Sequence, residues 1–247
     1  MEQTATHGSA AAPSTEAGRI TLAFPSGKTL SAQIAAIQNV SGVLKSALAQ
    51  PLSTPGVLPL DDDGEDSIAA WSAVVQMAEL RAYQPELVNW NNVGSLFNLV
   101  AKYDMPVVGA ACSDFLPCNK ASLGLDHPLT SPKNVLVAVT LCDRHGCTPA
   151  GCQAVEEALV SALSPLLTRV DSSGYLGSPD AAAAAARLRA LIKDKRYTTA
   201  VSMAVQARVM AALLDALDAH CNAPTCYNCG TRSFTVRCIY CSAAPSS

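Results

Sequence analysis

The stretch NVGSLFNLVAKYDMPVVGAACSDFL, residues 92–116, decides how the rest of the chain is read. Leu96, Leu99, Val100 and Tyr103 recur at i, i+3, i+4 and i+7, the stripe a helix needs to bury one face. Met105-Pro106 interrupts the stripe, because the residue before a proline is pushed out of helical dihedrals. Val108, Ala111, Cys112 and Phe115 then resume it as a second short helix. A helical pair joined by a tight turn is predicted.

The same pattern returns further along. At an offset of 42 residues, VAKYDMPVVGA (100–110) lies on CDRHGCTPAGC (142–152). Lys102 meets Arg144, Tyr103 meets His145, Met105 meets Cys147 and Gly109 meets Gly151. Cys142, His145, Cys147 and Cys152 are all potential zinc ligands. The echo, however, sets the three cysteines where the first copy has Val100, Met105 and Ala110. They are therefore read as small packed side chains. The middle of the chain is read as helical pairs stacked behind the first unit.

Before residue 92 the pattern is mixed. In RITLAFPSGKTLS, residues 19–31, Ile20, Leu22 and Phe24 share one face of a strand, PSGK is a turn and TLS restarts, so a hairpin is predicted. Residues 32–49 are read as one helix, 57–60 as a short strand and 67–80 as a helix with Ile68, Trp71 and Val75 on one face. After Pro117 and a loop at 118–133, helices are expected at about 134–145 and 149–168, the second capped by Thr148 with Pro149 at its first position. Further helices are expected from Pro179 to about Lys195 and at 197–219, where Val201, Val205, Val209, Leu213 and Leu217 stand four apart.

Residues 18–118 resemble the BTB/POZ domain. The resemblance is carried by LSAQIAAIQNVSGVLKSAL, where Ala32, Ile37, Ser41 and Leu44 occupy the family's marked positions, by VLPLDDDGEDSIAAWSAVVQMAEL, and most closely by the helix pair at 92–116. Gln33 and Leu44 stand where the family usually has histidine and phenylalanine. The resemblance implies an α+β fold, a small mixed sheet with packed helices, followed here by an all-helical region. It implies a protein–protein interaction module that forms homodimers, and it implies a cullin scaffold and a protein substrate as partners in a ubiquitin ligase. The dimer interface would fall at residues 18–24 and 41–49, and the partner surface near Leu58–Asp66 and the pair at 95–116. A non-ubiquitin scaffold, in a transcriptional or other complex, whose cysteine-rich tail forms a zinc ribbon that contacts nucleic acid or a partner, is the alternative.

The tail, CYNCGTRSFTVRCIYC at 226–241, holds Cys226-x2-Cys229 and Cys238-x2-Cys241. Each Cys-x-x-Cys turns two thiolates towards one ion, and RSFTVR between the pairs alternates like a hairpin strand. Cys226, Cys229, Cys238 and Cys241 are expected to hold a structural zinc in a small zinc-ribbon-like unit. Four cysteine ligands leave no open position, so the metal would fold the tail rather than catalyse.

The expected organisation is a disordered lead at 1–17, the BTB/POZ-like domain at 18–118, a helical extension at 119–220 and the ribbon at 221–247. The 247 residues carry a formal net charge of −3, which gives nucleic acid no strongly basic field. No long apolar run suggests a membrane span, and the first residues lack the basic start and apolar centre of a secretory signal. Ten cysteines without such a signal suit the cytosol or nucleus, where thiols stay reduced. FPSGKT lacks the first glycine of a phosphate loop, because Leu22 stands there. DDDGED has its glycine fourth rather than sixth, which rejects an EF-hand. No enzyme is expected, and no catalytic residues are assigned.

Overall fold

A computed structural model of the chain describes residues 18–61, 65–80, 85–167 and 179–221. The fold is mixed α+β and mostly helical, with a sheet of three strands. β1 (Arg19–Ala23) and β2 (Thr29–Gln33) form the expected antiparallel hairpin, in the register Ile20 with Ala32 and Leu22 with Leu30. Gly27 turns it at φ +78°, a left-handed value that only glycine takes without strain. β3 (Val57–Pro59) adds to the other edge of β1 in parallel, giving the order β2-β1-β3. Ile20, Leu22 and Phe24 are buried together, as their alternation required.

The stretch read as one helix at 32–49 is two: α1 (Ile34–Val40) and α2 (Gly42–Leu48). The break is at Ser41, which is extended at φ −141°. Its hydroxyl accepts the Leu44 N–H at 3.0 Å, capping α2, and donates to the carbonyl of Tyr103, sixty-two residues away. A buried serine with that pair of partners gains more as a cap than as a helix interior.

α3 (Glu65–Leu80) lies against β2 and α1. α4 (Val93–Tyr103) and α5 (Pro106–Cys118) form the predicted pair, and α6 (Val135–His145) and α7 (Pro149–Leu167) form its echo. The correspondence extends to the backbone. α4 ends on Asp104 at φ 51° and α6 ends on Gly146 at φ 64°, the same left-handed cap 42 residues apart. The cap N–H returns to Val100 in one pair and to Cys142 in the other. The two pairs stack, α6 on α4 and α7 on α5. The second seam is close: a Cβ on Gly151 would lie 2.8 Å from the carbonyl oxygen of Ser113.

α8 (Pro179–Lys193) packs on α7, and α9 (Tyr197–Ala200) leads to α10 (Met203–Cys221), which crosses α6 and α7. The stretch at 197–219 is thus also broken, at Ser202. Its N–H donates to Thr140 Oγ1 at 2.9 Å and its hydroxyl to Asp143 at 3.1 Å. One continuous cluster of buried side chains runs from Ile20 through Trp71, Phe97 and Leu136 to Val209 and Ala212. Trp71 meets Tyr103 edge to face at 5.1 Å between ring centres, joining α3 to the end of α4.

Candidate interaction surface and thiol cluster

α10 buries Val205, Val209 and Ala212 against α6 and α7. The five valines and leucines that stand four apart do not share one face. Leu213 is half-buried, and Leu217 is 58% exposed. A spacing of four advances about 40° per step on a helix of 3.6 residues per turn, so a row of fours winds to the far side. That far side carries a second stripe. Met203, Ala207, Met210, Leu214 and Leu217 alternate steps of four and three, the heptad spacing of a helix–helix seam, and all five are exposed. Met203 is 86% exposed, and Met210 and Leu214 are each 57% exposed. Arg208 flanks the stripe and pairs with Glu156 of α7 and with Asp143 of α6 at 3.7 Å, which fixes α10 while leaving the stripe outward.

The expected dimer segments look different. Ile20 and Leu22 face the core, and Val43 is the one large apolar side chain that 18–24 and 41–49 expose. In the expected partner surface, Val107 of α5 is 57% exposed, while Leu58, Leu96 and Phe115 are buried. The side chains of residues 62–66 lie outside the described ones.

Cys142, His145, Cys147 and Cys152 come from the last turn of α6, the α6–α7 turn and the first turn of α7. Among the described residues no three histidine, cysteine or acidic side chains are disposed to hold a metal ion. His145 stacks on Phe97 at 5.4 Å and 14°, its Nδ1 buried without a hydrogen-bond partner. Burial first, and Arg144 second, hold its pKa below the ordinary value. The thiols do gather. Cys142 and Cys147 are hydrogen-bonded to each other, and Cys147 also to Ser113 of α5. The Cys152 thiol reaches the carbonyl of Cys147 at 3.6 Å. Cys112 of α5 lies beneath them, fully buried, and its thiol is pushed up to about 12, by burial first and then by Cys147. The proton donated by Cys142 is the main reason that Cys147 lies below the usual thiol range, and the same bond, with burial, drives Cys142 far above it. Sequence spacing brought these cysteines to notice; the part played by Cys112 and Ser113 had no sequence signal, since both arrive from the stacking of α7 on α5.

Cys226, Cys229, Cys238 and Cys241 lie outside the described residues. An open groove of about 490 Å³ runs between α7, α8 and the turn at 120–126, lined by Lys120, Asp126, Ala162, Asp180 and Arg187. No described helix is long and apolar enough to cross a membrane. No protein-family model and no curated protein sequence matches the chain.

Proposed function

We propose that the chain is a protein–protein interaction adaptor. Residues 18–118 would act as a BTB/POZ-like docking unit that engages a cullin scaffold, with the remainder presenting a protein substrate for ubiquitination. The element order supports this: a hairpin, two short helices, a third strand parallel to the first, then a helix and a helical pair.

The observation that carries the interaction role is the outward stripe of α10. We place the contact between two copies of the chain there, because the stripe is complementary to itself and lies along nineteen residues of helix. Full burial of one Leu or Met stabilises by about 1.5–3 kcal/mol. The four large side chains, about half to nine-tenths exposed, would then give roughly 10 kcal/mol per pair, against an association cost of about 4–15 kcal/mol. A weak, concentration-dependent dimer is the expected outcome. In light scattering, the mass should climb from 25.6 kDa towards twice that value as protein is concentrated, and a Leu214→Glu, Leu217→Glu variant should stay at the lower value. A purified cullin should co-elute with both forms. A wild-type chain that remains single at every concentration refutes the seam, and failure of every cullin to bind refutes the adaptor role.

A further inference from the structure

The left-handed cap that ends each echoing helix does more than turn the chain. It folds the second residue past the helix back onto the helix's last turn, a place that ordinarily receives an apolar contact. In the first pair Met105 comes back to Val100, and the Met105 N–H reaches the Val100 carbonyl at 3.3 Å. In the second pair the Gly146 N–H reaches the Cys142 carbonyl at 3.1 Å, and the two places are held by Cys147 and Cys142, so that two neighbouring thiols stand where the first pair has an apolar contact. The exposures differ in a useful way: Met105 is fully buried, whereas Cys147 is only partly covered and Cys142 lies beneath it.

We propose that Cys147 and Cys142 form a reversible oxidation site, at which a hydroperoxide converts the paired thiols to a disulfide. Cys147 is the sulfur oxidised first, because solvent reaches it and Cys142 and Ser113 both direct hydrogen bonds to it. Its thiolate attacks one peroxide oxygen; the S–O bond forms as the O–O bond breaks, and the alcohol or water leaves. The Cys142 sulfur then attacks the sulfenic sulfur. The S–S bond forms, the S–O bond breaks, and the Cys142 proton leaves with the hydroxyl as water. Two thiols are oxidised by two electrons and one hydroperoxide is reduced. The bridge joins the end of α6 to the turn that seats α7 on Ser113, and it protects Cys147 from irreversible oxidation.

The test uses the full chain, reduced, treated with hydrogen peroxide, alkylated and digested with trypsin. Cleavage after Arg144 separates Cys142, in residues 134–144, from Cys147 and Cys152, in residues 145–169. The two peptides should appear joined, two hydrogens lighter than their sum, and come apart with a thiol reductant. The bridge should persist in Cys152→Ser and vanish in Cys147→Ser and in Cys147→Met, the second taken from the matching residue of the first pair. In Cys142→Val a cyclic 1,3-dione should be captured on Cys147. Absence of the joined peptides, their survival in either Cys147 variant, or their loss in Cys152→Ser overturns the assignment.

Discussion

Replacing Gly151 with alanine tests the stacking of the two helical pairs at its closest point. The added Cβ would sit 2.8 Å from the Ser113 carbonyl oxygen, 3.6 Å from its carbon and 3.2 Å from Thr148 Oγ1. The nearest of these is backbone of a buried helix and cannot swing aside, so α7 has to lift from α5. Overpacking of this kind costs about 1–3 kcal/mol. Alanine in place of glycine in a helix returns at most about 1 kcal/mol. Subtracting that return leaves an expected loss of about 0–2 kcal/mol, centred near 1 kcal/mol. Gly109, the matching position of the first pair, is the control. There a Cβ would meet only the Val100 side chain, at 3.1 Å from Cγ1, and a methyl group can give by a few tenths of an ångström. Gly109→Ala is therefore expected within about 1 kcal/mol of wild type. Urea unfolding followed by far-ultraviolet circular dichroism gives both values, with the denaturant slope as a check that the same transition is compared. If Gly151→Ala is as stable as wild type, or Gly109→Ala is the more damaging change, the close seam between α5 and α7 is wrong.

Three further expectations follow from single sites. Asn134 is fully buried, accepts the Leu136 N–H at 3.0 Å and donates to the His127 carbonyl at 2.6 Å. Asn134→Ala removes a helix cap and strands a carbonyl, and should lower the unfolding free energy by about 2–3 kcal/mol, whereas a loss under half of that in the same urea assay would mean the residue is not the clamp it looks. Burial holds His145 neutral below its ordinary pKa of 6.5, so the unfolded chain binds the extra proton and stability drains as pH falls through about that value. His145→Phe keeps a ring on Phe97 and should lose less stability than wild type between pH 7.5 and 5.5; parallel pH curves would contradict this. Full-length protein purified without chelators should carry zinc by elemental analysis and lose it when Cys226, Cys229, Cys238 and Cys241 are changed to serine, and metal retained by that variant would remove the ribbon from consideration.

What could be read from residues alone, and what could not, divides along a physical line. The helical pair at 93–118 and its echo at 135–167 were legible because periodicity, a proline and an offset of 42 are properties of the string itself. The echo even foretold that Cys142 and Cys147 would sit where an apolar contact belongs. The two breaks in the helices at 32–49 and 197–219 were not legible, and they share a cause. Ser41 and Ser202 stop a helix because each finds a partner far along the chain, Tyr103 in one case and Thr140 with Asp143 in the other. A serine inside an apolar pattern announces that it can cap; only the fold decides whether the second partner is present. The outward stripe of α10 was hidden for a different reason. A row spaced by four looks like one face over two turns and has wound by about 120° after twelve residues. Val205 and Leu217 of α10 therefore belong to different surfaces, the first to the core and the second to the seam. The thiol cluster needed both kinds of information, since sequence supplied three of its sulfurs while Cys112 and Ser113 came from α5 through the contact that Gly151 permits. The oxidation site and the Gly151 substitution are for that reason linked. A side chain that lifts α7 from α5 also withdraws Ser113 from Cys147, so Gly151→Ala should slow formation of the bridge as well as weaken the fold.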